Sequence, residues 1–299
     1  MMYLPKQVLI REVGPRDGLQ NENQFVATAD KLKFVQLLAQ TGIRDIEVTS
    51  FVHPKAVPQM SDAEELWNLL PSLVDVEFSA LALNLKGVER AIRAGAKTVV
   101  INISASESHN RHNSNRTREE SLREMAEIFS LAATEKITVR SDLSVVFGCP
   151  YEGKVSMDQV NFMVNRLLEI GIKEIALADT AGLGNPRQVY ELGREIRTRF
   201  PQGIFGLHIH DTRGLGLANV FAGIQAGFEI VETSVGGLGD CPFIPKATGN
   251  VVTEDVVYML HEMGIETGVN LEKLLDAGSY ISSVLGRKLA SKQLALCKN

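Results

Sequence analysis

The chain has 299 residues, 44% of them apolar and 22% charged, with a net charge of −5. This composition suits a soluble protein with a sizeable core, and the lack of a basic run argues against a nucleic-acid partner. No apolar run reaches the ~18 residues of a membrane span, the first residues lack a secretory apolar segment, and three scattered cysteines, Cys149, Cys241 and Cys297, make no disulfide framework, so a reduced, cytoplasmic protein is expected.

Short β-branched runs alternate with longer amphipathic ones. Strands are predicted at 8–13, 43–49, 74–81, 98–103, 137–147, 174–178, 204–210 and 230–234. Helices are predicted between them at 29–40, 63–70, 85–94, 119–135, 157–170, 186–200, 217–226 and 253–263. Gly42, Gly95, Gly171, Gly227 and Gly264 follow the last apolar turn of a helix, where a left-handed stop is wanted. Eight β–α units predict an α/β protein of the TIM (β/α)8 class. The expected organisation is a single domain over 1–299, with the barrel at about 5–265 and a C-terminal helical extension at about 266–299. A doubly wound sheet would want a phosphate loop after strand one. The segment there, Gly14-Pro15-Arg16-Asp17-Gly18, matches neither G-x-G-x-x-G nor a Walker loop.

In such a barrel the chemistry sits at the C-terminal ends of the strands. Polar residues expected there are Arg16, Asp17 and Gln20 after strand one and Glu47 at the end of strand two. The stretch 104–117 follows strand four, Asp179 and Thr180 end strand six, and His208 and His210 lie on strand seven. A Gly-rich segment holding Cys241, then Asn250, follows strand eight. Residues two apart in a strand share a face, so His208 and His210 form half of a metal site. With Asp17 and Asn250 they supply two imidazoles, a carboxylate and an amide oxygen, a set suited to Mg²⁺ or Mn²⁺. Asn250 is also placed to cap the last barrel helix. Glu47, in an apolar strand, needs a cationic partner, for which Arg16 is the candidate. Arg16 can stabilise an oxyanion. Cys241, in a glycine loop, reads as a reactive thiol able to move a proton at carbon. His109 and His112 fall in a stretch expected to be a solvated flap.

The run Glu12-Val13-Gly14-Pro15-Arg16-Asp17-Gly18-Leu19-Gln20-Asn21-Glu22 resembles the N-terminal signature of the 3-hydroxy-3-methylglutaryl-CoA lyase family. The segments 49–55, 148–153, 234–242, 247–250 and 253–255 continue the likeness over nearly the whole chain. The resemblance implies a TIM barrel that holds Mg²⁺ or Mn²⁺ through Asp17, His208, His210 and Asn250. It also implies that Arg16 meets a thioester enolate, that Cys241 takes part in proton transfer, and that Glu47 lies near the site. Gln20 and Lys288 are expected, with Arg16, to contact an acyl-CoA substrate. Cys297 resembles a C-terminal cysteine that links subunits in some relatives, and a homodimer acting in leucine breakdown is implied. The chain departs from the family in Asp240 before the cysteine, in the segment 243–246, and in Gly286 where relatives carry Asn.

The implied reaction is retro-Claisen cleavage of 3-hydroxy-3-methylglutaryl-CoA to acetyl-CoA and acetoacetate. Asp17 or His208 takes the alcohol proton. A Claisen-condensing synthase, a related acyl-CoA lyase, and a barrel that binds acyl-CoA without turnover are the alternatives.

Overall fold

The structure, a computed structural model, describes residues 4–239 and 249–296. Eight parallel strands close into a barrel in chain order: β1 (Leu9–Glu12), β2 (Asp45–Ser50), β3 (Glu77–Ala82), β4 (Thr98–Ser104), β5 (Thr138–Ser144), β6 (Glu174–Asp179), β7 (Ile204–Ile209) and β8 (Ile230–Thr233). The ring shuts where Leu9 pairs with Ile230 and Glu12 with Thr233.

The helices between strands are α1 (Thr28–Gln40), α2 (Ala63–Leu69), α3 (Leu85–Arg93), α4 (Glu107–Ser114), α5 (Arg118–Glu135), α6 (Met157–Ile170), α7 (Pro186–Arg199) and α8 (Gly216–Ala226). After β8 come α9 (Thr253–Glu262), α10 (Leu271–Leu285) and α11 (Lys292–Leu296). Capping boxes start α5 at Thr117, α6 at Ser156 and α7 at Asn185. Gly171 and Gly227 close α6 and α8 at φ 109° and 100°, a conformation that costs a residue with a Cβ.

Three local expectations change. Strand 137–147 is shorter, because Val145 adopts φ 57° and turns the chain out of the sheet. The third strand begins at Glu77, not at 74. The stretch expected to be a solvated flap contains α4, which is capped by Ser106 and stopped by Asn115 in a left-handed conformation. Its His109 is buried, with Nδ1 2.6 Å from the Ser104 hydroxyl, and His112 stacks on Tyr151 at 4.1 Å.

The barrel interior is not uniformly apolar. Toward the N-terminal ends of the strands, Arg11 of β1 binds Asp45 and Glu232 at 2.8 Å each and also pairs with Glu174. Arg140 of β5 binds Asp45 and Glu77 at 2.8 Å and lies 3.2 Å from Glu174. This layer ties six strands together beneath the mouth through Arg11, Asp45, Glu77, Arg140, Glu174 and Glu232.

Side-chain contacts help tie the C-terminal helices to the rest of the molecule. Tyr280 of α10 donates to Asp30 of α1 at 2.9 Å. Asp255 at the start of α9 accepts the backbone N–H groups of Lys292 and Gln293, which caps α11.

Candidate active site

The chain leaves β1 through one wide helical turn. The carbonyl of Val13 accepts the N–H groups of Arg16, Asp17 and Gly18 at 3.1, 2.7 and 3.3 Å. This convergence fixes the turn, and with it two consecutive charged side chains that both face the barrel axis. Arg16 is 4% exposed. Its Nε pairs with Glu47 of β2 and an Nη with Asp17. Burial opposes the guanidinium charge, but Glu47 and Asp17 outweigh it and hold Arg16 firmly protonated.

Asp17 is the hub of the mouth. Gln20 donates to its Oδ1 at 3.1 Å and Asn250 Nδ2 donates to its Oδ2 at 2.6 Å. Burial alone would raise its pKa, yet Arg16, His208, His210 and the Asn250 amide hold it well below the usual carboxylate range.

His208 and His210 come from the end of β7, and their Nε2 atoms face each other at 3.1 Å. His208 Nδ1 lies 2.9 Å from Glu232 Oε2, whose other oxygen is held by Arg11. Burial disfavours the His208 cation, but Glu232, Asp17 and Asp142 outweigh it and raise its pKa to about 9. Burial and the neighbouring His208 push His210 down to about 4.

Asp17, His208 and His210 each present a ligand atom, all within 4.8 Å of one another. Two facing imidazole nitrogens beside a carboxylate fit a shared divalent cation. The set is held from behind as metal ligands usually are, with the far nitrogen of His208 on a carboxylate.

Asn250 pairs with His210 in a lone backbone bridge. It does not cap α9, whose N-cap is Val252. Its Nδ2 also donates to the Leu238 carbonyl at 3.1 Å, and its Oδ1 is buried with no partner among the described residues. The amide must turn for that oxygen to meet a cation beside Asp17. Gly239, at φ 104°, passes over this pair, and a Cβ there would lie 2.6 Å from Asn250 Nδ2.

A cavity of about 260 Å³ opens above these groups, lined by Arg16, Asp17, Gln20, His208 and His210. Sequence reading missed Asn102, Asp142 and Ser144 on its wall, and His109, expected in a solvated flap, lines it too. The available signal for Asp142 was the one used for Glu47, a carboxylate inside a buried strand.

Lys288 lies apart, in a surface cavity of about 410 Å³ with Ser282, Ser283 and Leu289. Next to it, Arg287 pairs with Glu22 at the rim after β1, and Ala290 N–H donates to the Gly236 carbonyl at 2.9 Å. Cys241 and Cys297 lie outside the described residues. Among the described residues no helix is long and apolar enough to cross a membrane.

The HMGL-like family model matches residues 7–281. The chain is 44% identical, over the full length of both, to hydroxymethylglutaryl-CoA lyase YngG of Bacillus subtilis strain 168. It is 45% identical to the human mitochondrial hydroxymethylglutaryl-CoA lyase, covering all of this chain and 92% of the relative. The crystal structure of the Bacillus subtilis HMG-CoA lyase superposes with a TM-score of 0.96 at 44% identity, over 99% of both chains. An HMG-CoA lyase from Acinetobacter baumannii, solved with coenzyme A and 3-methylmalate, gives 0.94 at 37% identity, over 100% of this chain and 98% of that one. Pyruvate carboxylase carboxyl transferase domains, at 17% identity, share the fold alone. Barrel, turn and mouth thus agree with the comparisons: the chain belongs to the hydroxymethylglutaryl-CoA lyase family.

Proposed function

We propose that this chain cleaves 3-hydroxy-3-methylglutaryl-CoA to acetyl-CoA and acetoacetate with the help of a divalent cation, Mg²⁺ or Mn²⁺. The observation that carries the reading is the convergence of Asp17, His208 and His210 within 4.8 Å beside the clamped Arg16. Asp17, His208, His210 and, once its amide turns, Asn250 are the residues that would hold the cation. When bound, the cation supplies a Lewis acid that orients a hydroxy-acyl group and acidifies its alcohol.

The protein's own groups divide the remaining work. His208 has both ring nitrogens engaged, one on Glu232 and one facing His210. Both oxygens of Asp17 also accept hydrogen bonds, from Arg16 and Gln20 on one side and Asn250 on the other, and Asp17 or His208 takes the alcohol proton. As that proton leaves, the C2–C3 bond breaks, the C3 oxygen becomes the acetoacetate carbonyl, and the electron pair enters the thioester as an enolate. Arg16, fixed by Glu47 and Asp17, meets the enolate oxygen with a guanidinium that needs no reorganisation. Cys241, or a water it orders, returns a proton to C2. Gln20 keeps Asp17 oriented, and Lys288, in its separate surface cavity, offers a charge to the coenzyme A phosphates.

A cytoplasmic homodimer acting in leucine degradation, folded as one domain and using neither nucleic acid nor membrane, completes the reading. A coupled assay for acetoacetate tests it. Cation-dependent release that EDTA abolishes and Mg²⁺ or Mn²⁺ restores is expected. No release with saturating cation and thiol would sink it.

A further inference from the structure

The two sides of the mouth cavity differ in chemistry. The β2–β3 side is apolar, with Val52, Val57, Leu81 and Leu83. The β4–β5 side carries Asn102, Asp142 and Ser144. Asn102 and Asp142 are partners in the parallel register of β4 and β5, so their side chains project to the same face. Ser144, two residues beyond Asp142, shares that face.

The polar side holds acceptors that no described residue supplies with a donor. Asn102 Nδ2 is spent on the Ser144 hydroxyl at 2.8 Å, and Asn102 Oδ1 is buried with no partner among the described residues. Asp142 is 6% exposed, and its nearest cation among the described residues is Arg16 Nη2 at 4.0 Å, beyond hydrogen-bond reach. Arg16 already gives its closer contacts to Glu47 and Asp17. Burial, with Glu232 and Glu47 nearby, raises the Asp142 carboxyl well above its ordinary range, which favours a protonated form whose carbonyl oxygen still accepts. A buried acceptor left without a donor costs free energy that a ligand can return. The methyl branch of 3-hydroxy-3-methylglutaryl-CoA has no hydrogen to donate. An ammonium would lie close to Arg16 and be repelled, whereas a neutral hydroxyl donates without adding charge.

We infer that Asn102, Asp142 and Ser144 form a specificity subsite for a hydroxyl-bearing branch on the acyl chain, so that hydroxylated hydroxyglutaryl-type thioesters are better substrates than the methyl compound. Asp142 is the discriminating residue: it accepts the branch hydroxyl, and the Ser144 hydroxyl can donate to it. The inference rests on the lyase reading and narrows its substrate class. A site built around such a bond loses about 10- to 100-fold against the analogue that lacks the hydroxyl.

The test compares 3-hydroxy-3-methylglutaryl-CoA with the congener whose 3-methyl is hydroxymethyl, by steady-state release of acetyl-CoA with Mg²⁺. At least a tenfold higher kcat/KM for the congener is expected in the native sequence. Asp142→Leu should reverse the order, while Asp142→Asn, which keeps an acceptor and the side-chain shape, should retain part of the preference. Equal or better use of the methyl compound, or a ratio unchanged in both variants, overturns the subsite. Should neither thioester be cleaved, the lyase reading fails separately. Calorimetric binding of the two thioesters then decides the subsite, and equal affinities overturn it.

Discussion

The charges at the two ends of the barrel interior are organised differently. In the lower layer, each carboxylate of Asp45, Glu77, Glu174 and Glu232 lies within 3.2 Å of Arg11 or Arg140. At the mouth, one arginine faces Asp17, Glu47 and Asp142. Glu47 Oε2, His210 Nδ1, Asn250 Oδ1 and Asn102 Oδ1 are buried there without a partner among the described residues. A layer whose charges are paired with one another specifies structure, even with Arg140 Nε left without a hydrogen bond, whereas a mouth with several unpartnered polar atoms and one shared arginine is set up for a ligand. Glu232 joins the two, holding Arg11 with one oxygen and His208 with the other.

Substitutions can break this contrast. His210→Ala should do most at the mouth: Mn²⁺ affinity, read by calorimetry or electron paramagnetic resonance, should fall by about 100-fold or more, with turnover falling further and Tm nearly kept. Unchanged Mn²⁺ affinity would remove the cation site as described. Arg16→Lys should cost about 10²–10³-fold in kcat while Mn²⁺ binding stays near normal, because a point charge cannot reproduce the guanidinium fork. Near-normal kcat would take Arg16 out of the chemistry.

The lower layer should answer in the opposite currency. Arg11→Met leaves Asp45, Glu174 and Glu232 with less positive charge and should destabilise the fold by about 3–5 kcal/mol, read by chemical denaturation. Through Glu232 it should also weaken Mn²⁺ binding by roughly tenfold. A full-strength Mn²⁺ site in a destabilised variant would show that the two ends are independent.

The smallest effect concerns pH. Burial raises Glu254, which accepts the Gly236 N–H, from 4.5 to about 8. A carboxyl raised in the folded state lends stability that is complete below its unfolded value and is lost as pH rises through the folded one. Between about pH 5 and 8 the Tm should therefore fall, on the order of 5 °C from this group. Glu254→Gln should flatten that slope, and an equally steep profile in the variant would assign it elsewhere.

Periodicity and helix-stop glycines made the barrel legible, because β–α alternation repeats a local pattern eight times. The residues of the site that could be read were those whose signal is local: Arg16 beside Asp17 in one turn, and His208 and His210 two apart in one strand. Asp142 escaped because its meaning lies in β4 and β1, far away in sequence. Arg11, Asp45 and Glu232 escaped likewise, since each charge looks like an interruption of its own strand until the barrel closes. Helix α4 escaped because its sequence, ESHNRHNS, is poor in apolar residues and is held by its end caps and the burial of His109 and Asn110. Asn250 was read correctly as polar and inward but also as a cap, and only the placement of Leu238 and Asp17 separates these roles.

The bond from Ala290 N–H to the Gly236 carbonyl has a practical consequence. The segment 287–290 fastens the near end of the glycine-rich connection that precedes Cys241, while Leu289 packs where a Gly236 Cβ would stand, 2.3 Å from its Cδ1. A fusion partner or affinity tag placed behind α11 pulls on this fastening. A barrel with a normal Tm and a normal circular dichroism spectrum can then still turn over slowly. For kinetic work a tag is better placed on the N-terminal side.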